Sequence, residues 1–440
     1  MHNQILFETE SLCPDCLKRI PAYYELMDKK VYLSKECPEH GKCSVLFWRD
    51  GDLYREFHEQ AVHDDKNENY SSESKGCPYE CGLCSQHEGG VCTAVVEVTE
   101  RCNLKCNICF AGSNNELKDL NMDDIKNMFE TARKYGGKCS IQISGGEPTV
   151  RDDLPEIIKL GKSFKFPHLQ INTNGIRIAE EEGYAKILKD AGADLIYLQF
   201  DGLDDDIYKK IRGKALLDTK IQAIENCKKA KIGVLLVVTV VPGINLDMLG
   251  QIVQFAKKNM PTVRGIHLQP VSYFGRYPHE IPRDEDRCSI SDVLHCLEEQ
   301  TSGELQMDNF VPRKRYDSHC AFSSTFYLSE EGILQAISNS RQNESDNQRN
   351  FAKKTNEFTN KQWRLPENKN TKQEKPMAKF KLRLGTFTLS ITGMGFQDVW
   401  NIDIKRLKGC CVHVVTRDKA IPLCAYHLTS IRGEKLYSNV

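Results

Sequence analysis

The chain has 440 residues, 60 Lys and Arg against 61 Asp and Glu, and 19 cysteines. A net charge of −1 gives no global field that would draw nucleic acid, and the longest apolar run, Val234–Val241, is too short to span a bilayer. The first residues carry neither a basic start nor a long apolar core, so no signal peptide is expected, and grouped cysteines then read as metal ligands in a reducing, anaerobic cytoplasm rather than as disulfides.

Residues 1–65 read as a small metal module. Cys13-Pro-Asp-Cys16 is answered by Cys37-Pro-Glu-His40-Gly-Lys-Cys43, with strands expected over 30–35 and 44–48. Two such knuckles suit one tetrahedral zinc, or a rubredoxin-like iron, held by Cys13, Cys16, Cys37 and either His40 or Cys43. A metal that only folds the module is the plainer reading, and an electron relay is the alternative. Residues 66–92 begin as a polar linker and continue as Cys77-Pro-Tyr-Glu-Cys81-Gly-Leu-Cys84, with Cys92 shortly after. A C-x3-C-x2-C loop with its own fourth cysteine reads as a closed auxiliary [4Fe–4S] site.

From 93 to 275 the pattern alternates. Strands are expected at 93–98, 139–143, 168–172, 194–200, 233–240 and 264–269. Helices are expected at 122–135, 153–164, 180–191, 217–230 and 246–259. Strands separated by helical crossovers argue an α/β fold with a parallel sheet. After the first strand comes a second C-x3-C-x2-C loop, Cys102, Cys106 and Cys109, followed directly by Phe110. Three thiolates can hold three irons of a [4Fe–4S] cluster and leave the fourth open to a small ligand, while three legs of a zinc knuckle are the alternative. The next strand ends in Ser144-Gly145-Gly146-Glu147-Pro148. Two glycines there let the backbone approach a ligand, and Glu147 could meet an ammonium group. Asn172 and Asn174 end the third strand, and Gln199 and Asp201 the fourth. They suit ribose hydroxyls and an adenine edge, or simply strand-end turn chemistry.

Residues 276–337 connect onward and carry Cys320. Residues 338–379 are rich in Asn, Gln, Lys and Glu, and read as a poorly ordered polar insertion. Residues 380–440 read as a carboxyl-terminal α+β auxiliary-cluster module with a strand over 381–391, then Gly393-Met-Gly-Phe-Gln-Asp-Val-Trp-Asn401, Cys410-Cys411 and Cys424. Cys320, Cys410, Cys411 and Cys424 are expected to hold a second auxiliary cluster, with the adjacent pair in a turn.

Cys102-Asn-Leu-Lys-Cys106-Asn-Ile-Cys109-Phe110, followed one strand later by Gly145-Gly146-Glu147, resembles the radical SAM superfamily. The resemblance implies a partial (β/α)6 TIM-like barrel. It implies that S-adenosylmethionine (SAM) chelates the open iron, that Gly145, Gly146 and Glu147 hold its amino group, with Phe110 also in the cofactor site, and that reductive cleavage gives a 5′-deoxyadenosyl radical. The amino-terminal knuckle, the doubled cysteine loop and the Gly-Met-Gly-Phe-Gln-Asp-Val-Trp-Asn stretch before Cys410-Cys411 resemble one subgroup. That subgroup contains the class D radical SAM methylases acting on a pterin and the archaeal tetraether lipid synthases. It implies C–C bond formation at unactivated carbon, with alkyl-chain coupling of lipids as the first reading and methylation of a pterin precursor as the second. The cofactors expected are up to three [4Fe–4S] clusters, SAM and one mononuclear Fe or Zn. The partners expected are a small-molecule or lipid substrate and an electron donor such as ferredoxin or flavodoxin, with no nucleic acid and with peripheral membrane contact left open. No catalytic side chain is expected beyond the cluster ligands. A multi-centre iron–sulfur electron-transfer protein is the reading from another class.

Overall fold

The computed structural model describes residues 4–59, 74–113, 119–277, 282–313, 317–337, 362–365 and 383–437. Four antiparallel strands open the chain: β1 (Gln4–Leu12), β2 (Arg19–Met27), β3 (Lys30–Cys37) and β4 (Gly41–Trp48), paired in that order. One face buries Tyr24, Leu33, Phe47 and Trp48 against helix α1 (Gly51–Glu59), whose Tyr54 and Phe57 complete an aromatic core. Small sheets are marginal alone, and this one is anchored elsewhere. The buried Lys35 ammonium donates to the carbonyls of Leu12 (2.8 Å) and Val399 (3.0 Å).

The main sheet follows the alternation read in the sequence. Strands β5 (Thr93–Thr99), β6 (Ser140–Gly145), β7 (His168–Thr173), β8 (Leu195–Gln199), β9 (Gly233–Val240) and β10 (Val263–Pro270) lie side by side in chain order, all parallel. Helical crossovers such as α2 (Met122–Gly136) and α7 (Leu217–Ala230) cover the outside. Local chemistry sets the ends. In α2, Asn121 caps the first turn by accepting from the Asp124 N–H (2.8 Å), and Gly137 ends the helix with a positive φ of 56°. The expected helix over 180–191 is two, Ile176–Glu180 and Tyr184–Ala191, broken at Gly183 with φ 86°. A helix that the alternation did not announce, α6 (Asp205–Arg212), lies between β8 and α7.

The carboxyl-terminal stretch departs from a module of its own. After three short connecting strands, β11 (Val311–Pro312), β12 (Ala321–Leu328) and β13 (Leu334–Ala336), its strand, expected over 381–391, is β14 (Thr388–Met394). It pairs parallel with β10 on one edge, while β15 (Val412–Val415) pairs parallel with β5 on the other. Among the described residues no pairing joins β14 to β15, so the barrel stays partial. Val95, Met394, Val412 and Leu423 fill the space between the two edges as one apolar cluster. Burial of those side chains, rather than local propensity, draws residues some 300 positions apart onto one sheet.

Most of 338–379 lies outside the described residues, but 362–365 docks at the base of the barrel. The Arg264 guanidinium donates to the Gln362 carbonyl (2.8 Å), Arg364 pairs with Asp194 (3.0 Å), and Trp363 packs on Leu195 and Leu235. One large aromatic in a polar stretch supplies the apolar area that average composition hid. No helix among the described residues is long and apolar enough to cross a membrane.

Candidate active site

The loop carrying Cys102, Cys106 and Cys109 sits over the carboxyl ends of the strands, where ligand-binding residues of such sheets collect. The three thiols lie within one another's fields, and burial raises the Cys102 thiol to about 12. The loop is clamped on several sides. Cys109 and Arg276 exchange backbone hydrogen bonds of 2.9 and 3.0 Å, and the Arg276 side chain donates to the Cys106 carbonyl (2.6 Å). Phe110 is packed among Phe274, Phe396 and His427, with ring centroids 5.0, 5.5 and 4.4 Å away. Three thiols on one partly buried loop suit a cuboidal cluster with one iron left for another ligand.

The Gly-Gly-Glu turn locks to the start of that loop. The Gly146 N–H donates to the Thr99 carbonyl and the Glu147 N–H to the Arg101 carbonyl, both at 2.8 Å. A Cβ on Gly146 would sit 2.2 Å from the Arg101 oxygen, so only glycine fits there. The expectation for the Glu147 carboxylate is corrected. It is 2% exposed and accepts from Thr149 N–H (3.1 Å), Thr149 Oγ1 (2.6 Å), Thr173 Oγ1 (2.7 Å) and Asn174 N–H (2.6 Å). It ties two strand ends together.

Asn174 belongs to the same frame, since its amide donates to Asn103 Oδ1 (2.7 Å) within the cysteine loop. Asn172 lies deeper, donating to Gln142 Oε1 (3.3 Å) and accepting from Gln170 (3.1 Å). Asp201 is corrected as a nucleoside contact: it is fully buried and paired with Arg212 through bonds of 2.7 and 2.9 Å. Gln199 donates to Asp201 and accepts from the Lys220 ammonium (2.7 Å), so it too serves the frame.

Two residues escaped the sequence reading. Arg212, last in α6, bonds Thr239 Oγ1 (2.9 Å) and reaches the Cys106 thiol. The signal was present: Asp204-Asp205-Asp206, basic residues and Gly213 make a complete set of helix-end cues, and Asp204 accepts from the Asp206 N–H (2.9 Å). Lys220 is fully buried, held by the Asn174 carbonyl (2.5 Å), and burial lowers it to about 7. Nothing in its helical spacing announced it.

The other thiol groups divide differently from expectation. Cys13, Cys16, Cys37 and His40 offer donor atoms all within 4.8 Å of one another. His40 Nδ1 lies 3.6 Å from the Cys13 sulfur and 3.4 Å from that of Cys37. Ligands about 2.3 Å from a tetrahedral metal are separated by about 3.8 Å, so this set fits one mononuclear ion. Cys43 is excluded from it. It sits one strand along, across from Lys35 in the β3–β4 register, whereas His40 repeats the x2 spacing of the first knuckle. The His40 contact lowers the Cys37 thiol to about 6, while burial raises Cys13 to about 11.

Cys92 and Cys411 are joined to each other as a disulfide, which links the set of Cys77, Cys81, Cys84 and Cys92 to the set of Cys320, Cys410, Cys411 and Cys424. The cause is strand register. Val412 pairs with Thr93, so the residues just before them stand side by side, and the Cys92 N–H donates to the Cys411 carbonyl (2.9 Å). Cys77 and Cys81 are in hydrogen-bond contact, and Cys81 lies within the field of Cys84 and Cys410. Cys320, Cys410 and Cys424 also sense one another. The Arg406 guanidinium donates to the Cys320 sulfur (3.0 Å), and the Gln397 N–H donates to that of Cys424 (3.3 Å). Cys410 therefore stands between two groups of thiols.

Comparison with known proteins agrees with this geometry. The profile of the radical SAM superfamily matches residues 96–256, and that of the HMPTM N-terminal zinc ribbon domain matches residues 5–49. A 7,8-dihydro-6-hydroxymethylpterin dimethyltransferase from Methanocaldococcus jannaschii is 37% identical over 96% of this chain and 93% of its own length. A probable GTP 3′,8-cyclase from Methanococcus aeolicus is 32% identical over 54% of this chain and 83% of its own. Among solved structures, SuiB from Streptococcus suis shares 14% identity at a TM-score of 0.40 over 66% of this chain and 68% of that one, too distant to inform the site.

Proposed function

This chain belongs to the radical SAM superfamily, and from that premise we propose that it is a C-methyltransferase acting on a reduced pterin precursor. The observation that carries the reading is the 37% identity to a pterin dimethyltransferase, which spans the ribbon, the barrel and the carboxyl-terminal strands alike. Lipid alkyl-chain coupling, the first reading of the sequence, gains no support from the relatives, and the second reading takes its place.

A [4Fe–4S] cluster on Cys102, Cys106 and Cys109 would supply the electron that splits SAM to methionine and a 5′-deoxyadenosyl radical. The chain's own residues prepare the place. Gly145 and Gly146 bring bare backbone against the cysteine loop. Glu147, Asn174 and Lys220 fix the ends of β6, β7 and β8 relative to one another. Burial raises the Cys106 thiol, and the Arg212 guanidinium beside it acts in the opposite direction, toward the thiolate. The ribbon site suits structural zinc, since three thiolates and one imidazole are a closed donor set with no position for substrate. A ferredoxin- or flavodoxin-type donor would supply the electrons.

The test is anaerobic incubation of the reconstituted full chain with reductant, 7,8-dihydro-6-hydroxymethylpterin, SAM as the radical source, and a one-carbon donor supplied in parallel arms as further SAM or as a methylene-carrying reduced pterin cofactor, since the SAM that is split to methionine keeps its own methyl group. We expect pterin products heavier by one and two CH2 units, together with 5′-deoxyadenosine. SAM cleavage with an unchanged pterin would overturn the pterin reading and leave the superfamily chemistry standing.

A further inference from the structure

The cysteine loop turns one side to the barrel and the other to solvent. From Asn103 to Asn107 exposure alternates residue by residue: Asn103, Lys105 and Asn107 are exposed, while Leu104 and Cys106 are buried. The inward pair packs on Tyr208 of α6 and on Leu216 just beyond it. The Cys106 thiol therefore lies one residue's depth below an open surface. The carboxyl end of α6 borders that surface. The Asn107 N–H donates to the Ile211 carbonyl (3.0 Å), and its side-chain amide donates to the Lys210 carbonyl (2.8 Å). A Cβ on Gly213 would stand 3.7 Å from the Lys105 carbonyl oxygen. Lys105, Lys210 and Lys214 thus belong to one rim beside the loop, and all are exposed.

The charge of this rim is not cancelled locally. Among the described residues no carboxylate pairs with Lys105, Lys210 or Lys214, whereas their neighbour Lys209 is paired with Asp206 (2.8 Å). The acidic residues at the other end of α6 are engaged: Asp204 accepts from the Asp206 N–H, and Asp205 from the Leu216 and Leu217 N–H groups, all at 2.9 Å. The whole chain carries a net charge of −1, so grouped cations without partners are a local feature. Such a patch steers and orients an oppositely charged partner. The rim is too small for a nucleic acid, where proteins commonly neutralise about 6–10 phosphates. It also lacks what a lipid surface would take up, since none of the large exposed apolar side chains among the described residues belongs to the loop or to α6.

We propose that this lysine rim is the docking face for the electron donor, and that the donor is a small acidic ferredoxin whose carboxylates ring its own redox centre. The step is a single electron transfer. The reduced ferredoxin is oxidised, the site held by Cys102, Cys106 and Cys109 is reduced by the same electron, and no bond forms or breaks between the proteins. Electron tunnelling weakens steeply with distance, and here a single layer of residues covers the thiol loop. A footprint of one loop and one helix of 8 residues, about 12 Å long, suits the interfaces under about 1,200 Å² of transient electron-transfer partners. The proposal rests on the radical SAM chemistry above and is independent of the pterin reading.

The test uses the reconstituted full chain under anaerobic conditions with SAM and no pterin. The donors are an acidic two-cluster [4Fe–4S] ferredoxin, kept reduced, and photoreduced deazaflavin, a small reductant that needs no docking face. A zero-length carbodiimide crosslinker, which joins lysine amines to carboxylates, should give an adduct of the chain with ferredoxin through Lys105, Lys210 or Lys214. Lys105→Glu, Lys210→Glu and Lys214→Glu together should remove that adduct. They should also slow ferredoxin-driven 5′-deoxyadenosine formation by about tenfold or more at low salt, within the roughly 10–10³ range of electrostatic steering. Little difference should remain at 1 M salt, where the Debye length is about 3 Å, and the deazaflavin-driven rate should match wild type. The same charge change at the base of the barrel, where α7 leads into β9, uses Lys228→Glu, Lys229→Glu and Lys231→Glu and should leave the ferredoxin rate largely unchanged. An unaltered ferredoxin rate in the rim variant, or an equal loss in both variants, overturns the docking face. Wild-type cleavage with deazaflavin but not with ferredoxin overturns the proposal and leaves the superfamily chemistry intact. An acidic flavodoxin that outruns ferredoxin and crosslinks through the same lysines overturns the choice of donor. Should the rim variant lose deazaflavin-driven cleavage, glutamine at the same positions decides: a salt-sensitive loss of the ferredoxin rate supports the rim, and an unchanged rate refutes it.

Discussion

The amino-terminal ribbon and the carboxyl-terminal thiols are built in opposite ways. In the ribbon, four donors from two knuckles converge within one small sheet, and their spacing along the chain already fixes their meeting. At the carboxyl end, Cys411 meets Cys92 across a sequence separation of 319, and the meeting depends on how β15 registers against β5. The first site is a property of a few turns of backbone. The second is a property of the whole sheet, so spacing along the chain does not announce it. The loop of Cys102, Cys106 and Cys109 lies between these extremes: its thiols are local, while the groups that hold it, Arg212 and Arg276, are not.

The largest expected effect tests the intermediate case, the reactive site. Replacing Cys102, Cys106 and Cys109 together by alanine should abolish 5′-deoxyadenosine formation, with iron and sulfide falling by about one [4Fe–4S] unit. Retained cleavage would move the reactive cluster to Cys77, Cys81 and Cys84. Next comes the ribbon. Structural zinc contributes on the order of 10 kcal/mol or more to folding in small modules. His40→Ala should therefore lose the metal and speed hydrogen exchange across residues 4–48, whereas Cys43→Ala should keep both metal and protection. Equal behaviour of the two variants would contradict the fourth-ligand assignment.

A smaller effect probes the join between the connecting region after β10 and the carboxyl-terminal stretch. Arg287 and Asp398 form a buried pair, 4% and 0% exposed, with bonds of 2.7 and 3.1 Å. Arg287→Met leaves Asp398 without its cation and should cost about 3–5 kcal/mol in urea unfolding. A loss below about 1 kcal/mol would show that the pair is not sealed from water. Lys220 gives a pH signature. Its folded value of about 7 lies below its ordinary 10.5. Below pH 7 both states hold the proton and it adds no slope. Between these values the unfolded chain binds more protons, so stability rises with pH, by at most about 1.4 kcal/mol per unit. Lys220→Met should flatten the rise in urea midpoint between pH 7.5 and 9.5, and an unchanged slope would assign it to other groups. The smallest effect tests the non-local extreme: Cys411→Ser should leave bound iron unchanged, while Cys410→Ser, between the two thiol groups, should lower it.

Much of the barrel was legible because each strand is short, apolar and bounded by turn residues, and each crossover helix carries its own end signals. Strand β9, Gly233–Val240, is buried nearly throughout, as a central parallel strand must be. The Gly145-Gly146 approach was legible for the same local reason. The roles of Glu147, Asp201 and Gln199 were not, because a polar residue at a strand end looks alike in sequence whether it faces a ligand or a neighbouring strand. Trp363 was hidden by the polar composition around it.

The sequence by itself determined the three-thiol loop, the paired knuckles, the glycine turn and the order of strands and helices, since bond geometry and local hydrogen bonding act over a few residues. Tertiary structure alone decided that the last strands close onto both edges of the sheet, that Cys92 faces Cys411, and that Gln142, Gln170 and His267 share one lumen. Those outcomes follow from burying apolar area between distant segments. That energy belongs to the packed sheet as a whole and is written in no single stretch of the chain.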